Sequence, residues 1–145
     1  MPWTSGIVVT KIYDAVDATG RVDHQRLTQW IDILRQRPGD EVFDALIGVF
    51  CNVDREDKRL VDQEYAGRIL LTLKPPCSRN IEDVIKRMLA RWDLSVEQLP
   101  WYFSDVVGVQ KVLLALDALD TQVSSQQERD AIRTFRFWLG VKRDR

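Results

Sequence analysis

The stretch Arg91–Phe103 (RWDLSVEQLPWYF) contains the densest local pattern in the chain. Ser95 and Gln98 have the spacing of a capping box, in which the serine hydroxyl accepts a hydrogen bond from a free N–H of the first helical turn. Leu94 and Leu99 flank this box at the spacing of a hydrophobic staple. The stretch therefore predicts that a new helix begins at Ser95 and that its staple fixes the angle to the preceding helix.

A proline and three consecutive aromatic residues follow. Pro100 lacks the N–H that a helix needs beyond its first turn, so we expect either a kink or a short turn that ends at Leu99, with Pro100 opening the next helix. Trp101, Tyr102 and Phe103 are adjacent, and a helix rotates by about 100° per residue. One helix face cannot bury all three rings, so at least one is expected to look outward or into a groove. The ordinary explanation of the three rings is an aromatic lid over the core.

Apolar residues recur at i, i+3, i+4 and i+7 on both sides of this stretch, which is typical of amphipathic helices. The predicted helices are, in order, Ser5 to Ala18, ended by Gly20; a helix from an Asp23 cap to Pro38-Gly39; a helix from an Asp40 cap through Val53; a stripe from Ala66 to Leu73, ended by Pro75-Pro76; a helix from a Ser78 or Asn80 cap to Trp92; the Ser95 helix, with a break at Gly108; Val109 to Asp120; and a last helix with Ile132, Phe135, Trp138 and Leu139, ended by Gly140. The β-branched run Ile7–Val9 leaves a strand open as an alternative there.

These segments predict an all-α fold of seven to eight helices joined by short loops. Two arrangements fit, namely a compact multi-helix bundle or a short array of helix hairpins. Segment 40–53 has a wide apolar face and is predicted to be central, and segment 109–120 is predicted to be deeply buried. The 145 residues suit a single helical domain spanning 1–145.

Composition favours a soluble globular protein, with 45% hydrophobic residues, 30% charged residues and a net charge of −1. No apolar run approaches the ~20 residues of a spanning helix, and the N-terminus has neither the basic nor the apolar part of a signal peptide. Cys51 and Cys77 are therefore expected to be free thiols, and the expected location is cytoplasmic.

Catalytic chemistry finds little support in the sequence. His24 is the single histidine and follows Asp23 at a predicted helix start, where a surface position is ordinary. Cys51 lies in an apolar pattern, and burial raises a thiol pKa. The acidic run from Asp54 has Arg59 where a calcium loop needs glycine. With no nucleotide or hydrolase motif present, we expect no enzymatic activity, no cofactor and no metal site.

The favoured function is a non-enzymatic protein-interaction module, such as an adaptor, a regulatory protein or an inhibitor of the immunity-protein type. Trp101 and Tyr102 are the predicted aromatic anchors of a partner-binding surface. Asp54, Glu56 and Asp57 form a second, electrostatic candidate that would attract a basic partner.

The charge distribution supplies the alternative function. Residues 1–57 carry 10 acids and 6 bases, whereas residues 58–145 carry 12 acids and 15 bases. A nucleic-acid-associated protein would use the C-terminal basic stripe. The stripe consists of Arg129, Arg133, Arg136, Lys142, Arg143 and Arg145. The ordinary explanation is a solvated helix face, and a small carboxylate-based helical enzyme is the least favoured hypothesis.

Overall fold

The computed structural model describes residues 3–143, and within them it contains eight α-helices and no strand. The helices are α1 Ser5–Thr19, α2 His24–Leu34, α3 Gly39–Cys51, α4 Arg59–Leu73, α5 Ile81–Met88, α6 Gln98–Val106, α7 Val109–Asp120 and α8 Gln126–Gly140. A 3-10 turn, Glu56–Lys58, precedes α4. The helices pack compactly, so the predicted all-α bundle of seven to eight helices is confirmed.

The first helix confirms the helical interpretation of the β-branched run. The Thr4 hydroxyl caps α1 by accepting from the Ile7 N–H at 3.2 Å, and Gly20 ends it at φ 70°. Val8 and Ile12 of this helix are fully buried. The strand alternative for Ile7–Val9 is therefore wrong, because the helical spacing of the apolar side chains outweighs the β-preference of single residues.

Ser95 does not cap a helix. Its N–H and its hydroxyl both donate to Asp93 Oδ1, at 3.0 and 2.6 Å, in a local turn. α6 begins only at Gln98, which places Pro100 in the first turn, where its missing N–H costs no helical hydrogen bond. The helix is continuous through Pro100, so the predicted turn that ends at Leu99 is wrong.

Helix caps elsewhere match the predictions in part. Asp23 caps α2 and Asn80 caps α5 through their side-chain oxygens, as expected. Asp40 does not cap α3, because it lies inside the first turn and accepts from the Ser78 hydroxyl at 2.6 Å. A Ser-x-x-Glu cap is found at α8, where the Ser125 hydroxyl accepts from the Glu128 N–H at 3.1 Å and donates to Glu128 Oε1 at 2.8 Å.

The centre of the bundle is α4, which packs against α1, α2, α3 and α6. Tyr65, Ala66, Ile69 and Leu70 of α4 are each fully buried. A Cβ added at Gly67 would lie 3.1 Å from Gln98 Cβ and 3.2 Å from Val96 Cγ1, so glycine permits this close approach of α4 to the segment that starts α6. The predicted central segment, 40–53, instead packs against α1, α4 and α5.

α7 is less buried than predicted. Val112 and Leu116 are fully buried, but Leu114 is 68% exposed. Apolar residues lie on most sides of α7, but a side is buried only where a neighbouring helix covers it. No helix within residues 3–143 combines the length and the apolar character needed to cross a membrane.

Candidate partner-binding surfaces

Tyr102, a predicted anchor, belongs to the core. Both Tyr102 and Phe103 are fully buried, and the Tyr102 hydroxyl donates to the Pro75 carbonyl at 2.5 Å. Burial raises the pKa of this phenol. The prediction that Tyr102 faces a partner is wrong, because α6 has α4, α7 and α8 around it and can bury adjacent residues on different sides.

Trp101 is half-buried and already engaged by the C-terminal part of the chain. Its Nε1 donates to the Trp138 carbonyl at 3.1 Å, and the two indole rings meet nearly edge to face at 6.0 Å. The Arg143 guanidinium lies 5.4 Å from the Trp101 ring and bonds to the Asp105 carboxylate. Only part of Trp101 is therefore available to a partner.

The most exposed aromatic side chain within residues 3–143 is Phe137, which sequence reasoning missed. It is 62% exposed, and its ring lies 5.2 Å from that of Trp138. We call Trp101, Phe137 and Trp138 the aromatic surface. Phe135, Phe137 and Trp138 fall within four consecutive residues of one helix, so the geometric argument made for residues 101–103 would have predicted an outward ring here too.

The connection between α3 and α4, together with the first turn of α4, presents a second exposed group. Val53 is 56% and Leu60 41% exposed, and Asp54 and Asp57 are exposed beside them. Within the described residues neither carboxylate takes part in an ion pair. We call these four residues the acidic surface. Residues 52–64 around it carry five acids and three bases.

Glu56, the third predicted acid, is largely neutralised by the protein itself. Its carboxylate pairs with Arg59 at 3.2 Å and with Arg91 at 2.9 Å. The second of these pairs ties the connection to the segment that follows α5. Asp54 and Asp57 are thus the two predicted acids that retain an uncompensated charge at the surface.

Arg55 fixes the acidic surface from beneath. Its Nε donates to Asp62 Oδ2 at 2.7 Å and its Nη2 to Asp17 Oδ1 at 3.0 Å. The guanidinium carbon also lies 4.4 Å from the Tyr13 ring centroid. Burial raises the pKa of the Asp62 carboxyl and its bonds to Arg55 oppose that rise, while Arg55 lowers the pKa of Asp17. One arginine therefore fastens the connection to both α1 and α4.

A second set of polar contacts, made by Asn52, fixes the start of the connection between α3 and α4. Asn52 donates from Nδ2 to the Tyr13 hydroxyl at 3.0 Å and accepts from the Asp54 N–H at 2.8 Å. These two hydrogen bonds constrain the backbone and side chains at residues 52–54. A preorganised surface loses less conformational entropy on binding than a mobile one.

The predicted basic stripe is mostly paired with carboxylates. Arg133 pairs with Asp130 at 3.0 Å. Arg136 pairs with Asp117 at 2.7 Å and Asp120 at 3.1 Å, and Arg143 pairs with Asp105. Arg129 and Lys142 form no ion pair with any residue from 3 to 143, and Arg145 lies outside the described residues. This pairing weakens the field that the alternative function requires.

A cleft of about 490 Å³ lies between α3 and α5. Phe43, Ile47 and Val84 contribute apolar lining, and the charged groups around them alternate in sign. Arg79 is bonded to Asp44 at 2.5 and 3.1 Å, and Asp83 and Arg87 also line the cleft. The balanced charges give this cleft no preference for a ligand of one sign.

His24 and the two cysteines lie on different segments of the chain. His24 is exposed at the first position of α2, and Cys51 and Cys77 are free, partly buried thiols whose pKa values burial raises. Across residues 3–143 no three side chains of the metal-binding types come together.

Comparison with protein-family models, with curated proteins and with solved structures gave no match.

Proposed function

We propose that this chain is a non-enzymatic protein-binding module whose acidic surface docks onto a basic partner protein. The observation that carries the proposal is the exposed, unpaired Asp54 and Asp57 beside exposed Val53 and Leu60, on a segment fastened by Arg55. An adaptor, a regulatory protein or an inhibitor of the immunity-protein type would use such a surface.

The two kinds of side chain contribute differently to binding. Carboxylates at the rim raise the association rate with a basic partner, and salt reduces that effect. Apolar side chains that become covered mainly slow dissociation, and truncation at a hot spot costs about 2 kcal/mol or more. The rates therefore report separately on Asp54 and Asp57 and on Val53 and Leu60.

The test begins with photo-cross-linking in the native host. A benzophenone side chain placed at Val53 should capture a basic protein, whereas the same group at Ile7, 41% exposed on α1, serves as the matched control. Association of the purified pair is then measured for wild type, for Val53→Ala and for Asp54→Asn with Asp57→Asn.

The double asparagine variant should associate more slowly at low salt and like wild type at high salt. Val53→Ala should dissociate faster with little change in association. Wild-type kinetics in both variants, or equal capture from Val53 and Ile7, would refute the acidic surface as the binding site.

Nucleic-acid association is the alternative function, supported by the exposed Arg129 and Lys142. An electrophoretic shift that Arg129→Gln with Lys142→Gln abolishes at moderate salt would favour it. The proposed protein-binding function predicts no such shift.

A further inference from the structure

A small cleft lies where the ends of α2 and α4 meet the start of α3. Its volume is about 210 Å³, and six of its nine lining residues have no polar side chain. Leu34 and Val42 in its walls are 1% and 2% exposed, and Pro75 is buried beside them. The cleft therefore offers an apolar interior that a small ligand can enter from the surface.

The polar part of this lining carries positive charge. It consists of the side chains of Arg35, Arg37 and Lys74, and among residues 3–143 no carboxylate lines the cleft. The larger cleft between α3 and α5 differs, because two arginines and two aspartates line it together. An anion would meet charges of the opposite sign in the smaller cleft and charges of both signs in the larger one.

The two arginines contribute differently. Arg35 is exposed, and in the part of the chain that the structure describes it forms no ion pair. Arg37 is neutralised by Glu41, whose Oε1 lies 2.7 Å from Nη2. The other carboxylate in the first turn of α3, Asp40, accepts from the Ser78 hydroxyl. Arg35 therefore supplies a full positive charge to the cleft, and Arg37 adds N–H donors.

Lys74 supplies a second uncompensated charge. It shares the Asp105 carboxylate with Arg143, with Nζ 3.3 Å from Asp105 Oδ2, so two cations meet one anion. Lys74 also ends α4 at φ 49°, and between residues 3 and 143 it is the one residue other than glycine with a positive φ. A side chain makes this left-handed conformation less favourable than it is for glycine. With one charge from Arg35 and one from the Lys74 group, the local surplus is two positive charges.

We propose that this cleft binds a phosphate monoester whose small apolar group fills the space between the apolar walls. Such a group carries a charge of about −1.5 to −2 at pH 7 and three acceptor oxygens, which match the surplus charge and the three basic side chains. Arginine binds phosphate through parallel N–H bonds. Since a cavity of about 150 Å³ takes up benzene, this cleft accommodates one ring or a short branched chain. A carboxylate, with one charge and two oxygens, matches the site less well.

The bases could instead serve the helices on which they lie. Arg35 follows α2 and Lys74 ends α4, and a cation at a helix C-terminus stabilises the helix through its dipole. That role predicts a loss of stability on substitution and no affinity for phosphate monoesters. The test therefore measures unfolding and ligand binding on the same variants.

The inference goes beyond the proposed function and shares no residue with the acidic surface, so the two can fail independently. Calorimetric titration of the full chain at neutral pH compares phenyl phosphate with inorganic phosphate, benzoate and phenol. Phenyl phosphate should bind with a Kd at least about tenfold lower than each of the others, because each lacks the ring, the second charge or the phosphate. Amide NMR shifts should centre on Gly39 and Lys74. Binding should weaken as pH falls through about 6, where the phosphate takes up a proton.

A phosphotyrosine side chain and a free aryl phosphate share this chemistry. A short phosphotyrosine peptide is therefore titrated beside phenyl phosphate. A lower Kd for the peptide would assign the ligand to a protein side chain, and an equal or higher Kd would assign it to a free compound. Binding of either supports the cleft as a phosphate monoester site.

Substitutions then locate the binding. Arg35→Gln should raise the Kd for phenyl phosphate about 10-fold, and Arg35→Lys, which keeps the charge, should restore part of the affinity. Lys74→Gln should raise the Kd about 5-fold or more. Arg21→Gln is the matched control and should leave the Kd unchanged, since Arg21 is exposed, lies outside the cleft and forms no ion pair within the described residues.

Three results would overturn the proposal. They are no saturable binding of phenyl phosphate at millimolar concentrations, an equal Kd for phenyl phosphate and inorganic phosphate, and equal effects of Arg35→Gln and Arg21→Gln. Loss of stability in Arg35→Gln with an unchanged Kd would overturn it as well and would assign the base to the helix dipole. If Lys74→Gln fails to fold, Arg35→Gln and the NMR shifts decide the result.

Discussion

The acidic surface and the aromatic surface are held in place by different forces. The acidic surface lies on a connection between helices that Arg55 and Asn52 fasten with ion pairs and hydrogen bonds. The aromatic surface lies mainly on a helix, where Phe137 rests on Trp138 and Trp138 on Trp101. Polar bonds to Arg55 therefore decide the shape of the first surface, whereas ring packing and the core beneath α8 decide the second.

The largest expected effect tests the core beneath the aromatic surface. Trp92 is 4% exposed, donates to the Val96 carbonyl at 3.0 Å and packs on Phe135 of α8 at 5.3 Å. Trp92→Ala should lower the free energy of unfolding by roughly 3–5 kcal/mol, as large-to-small changes in cores do. Denaturant unfolding measures this loss. A melting temperature within a couple of degrees of wild type would show that Trp92 does not support α8.

The next effect tests the ion pairs of Arg55 that hold the acidic surface. Arg55→Met removes the cation from Asp62, whose side chain is 4% exposed, and breaking a buried pair costs about 3 kcal/mol. The variant should unfold at lower denaturant concentration and should protect the amides of 52–58 less against hydrogen exchange. Arg26→Met is the matched control, because its pair with Asp23 is exposed and worth less than about 1 kcal/mol. Equal losses of unfolding free energy in both variants would contradict the stabilising role of the Arg55 ion pairs.

A smaller effect concerns the acid sensitivity of the fold, which we assign to Glu41, a residue outside both surfaces. Arg37 and then Ser5 lower the pKa of Glu41 to about 2, below its ordinary 4.5. A depressed pKa stabilises the fold above pH 4.5, and that contribution is lost as pH falls from 4.5 towards 2. Glu41→Gln should cost about 1 kcal/mol at neutral pH, given the partial exposure of the pair, and should lose less stability in that window. Parallel pH profiles of the two proteins would refute this assignment.

The smallest effects are expected at the surfaces themselves. Phe137→Ala and Val53→Ala remove exposed side chains and should each change the free energy of unfolding by no more than about 0.5 kcal/mol. Thermal unfolding measured beside the binding experiments checks this. A loss of 2 kcal/mol or more would show that the side chain stabilises the fold and is not reserved for an interface.

The candidate surfaces were only partly predictable. Asp54 and Asp57 were found because charged residues between helices are ordinarily exposed, and Glu56 could not be distinguished from them because its partner Arg91 is 35 residues away in sequence. Tyr102 and Phe137 illustrate the harder case. Both sit in aromatic runs that one helix face cannot bury, yet Tyr102 is covered by neighbouring helices and Phe137 is not.

The sequence by itself determined the helices and their inward faces. The 3.6-residue period of apolar side chains, the Asp23 and Asn80 caps, and the stops at Gly20 and Gly108 are local, so they act wherever the segment lies. The tertiary structure decided that α4 is central and which aromatic ring stays outside. Periodicity orients a helix about its own axis, but the number of neighbours around that axis depends on contacts between residues far apart in the chain.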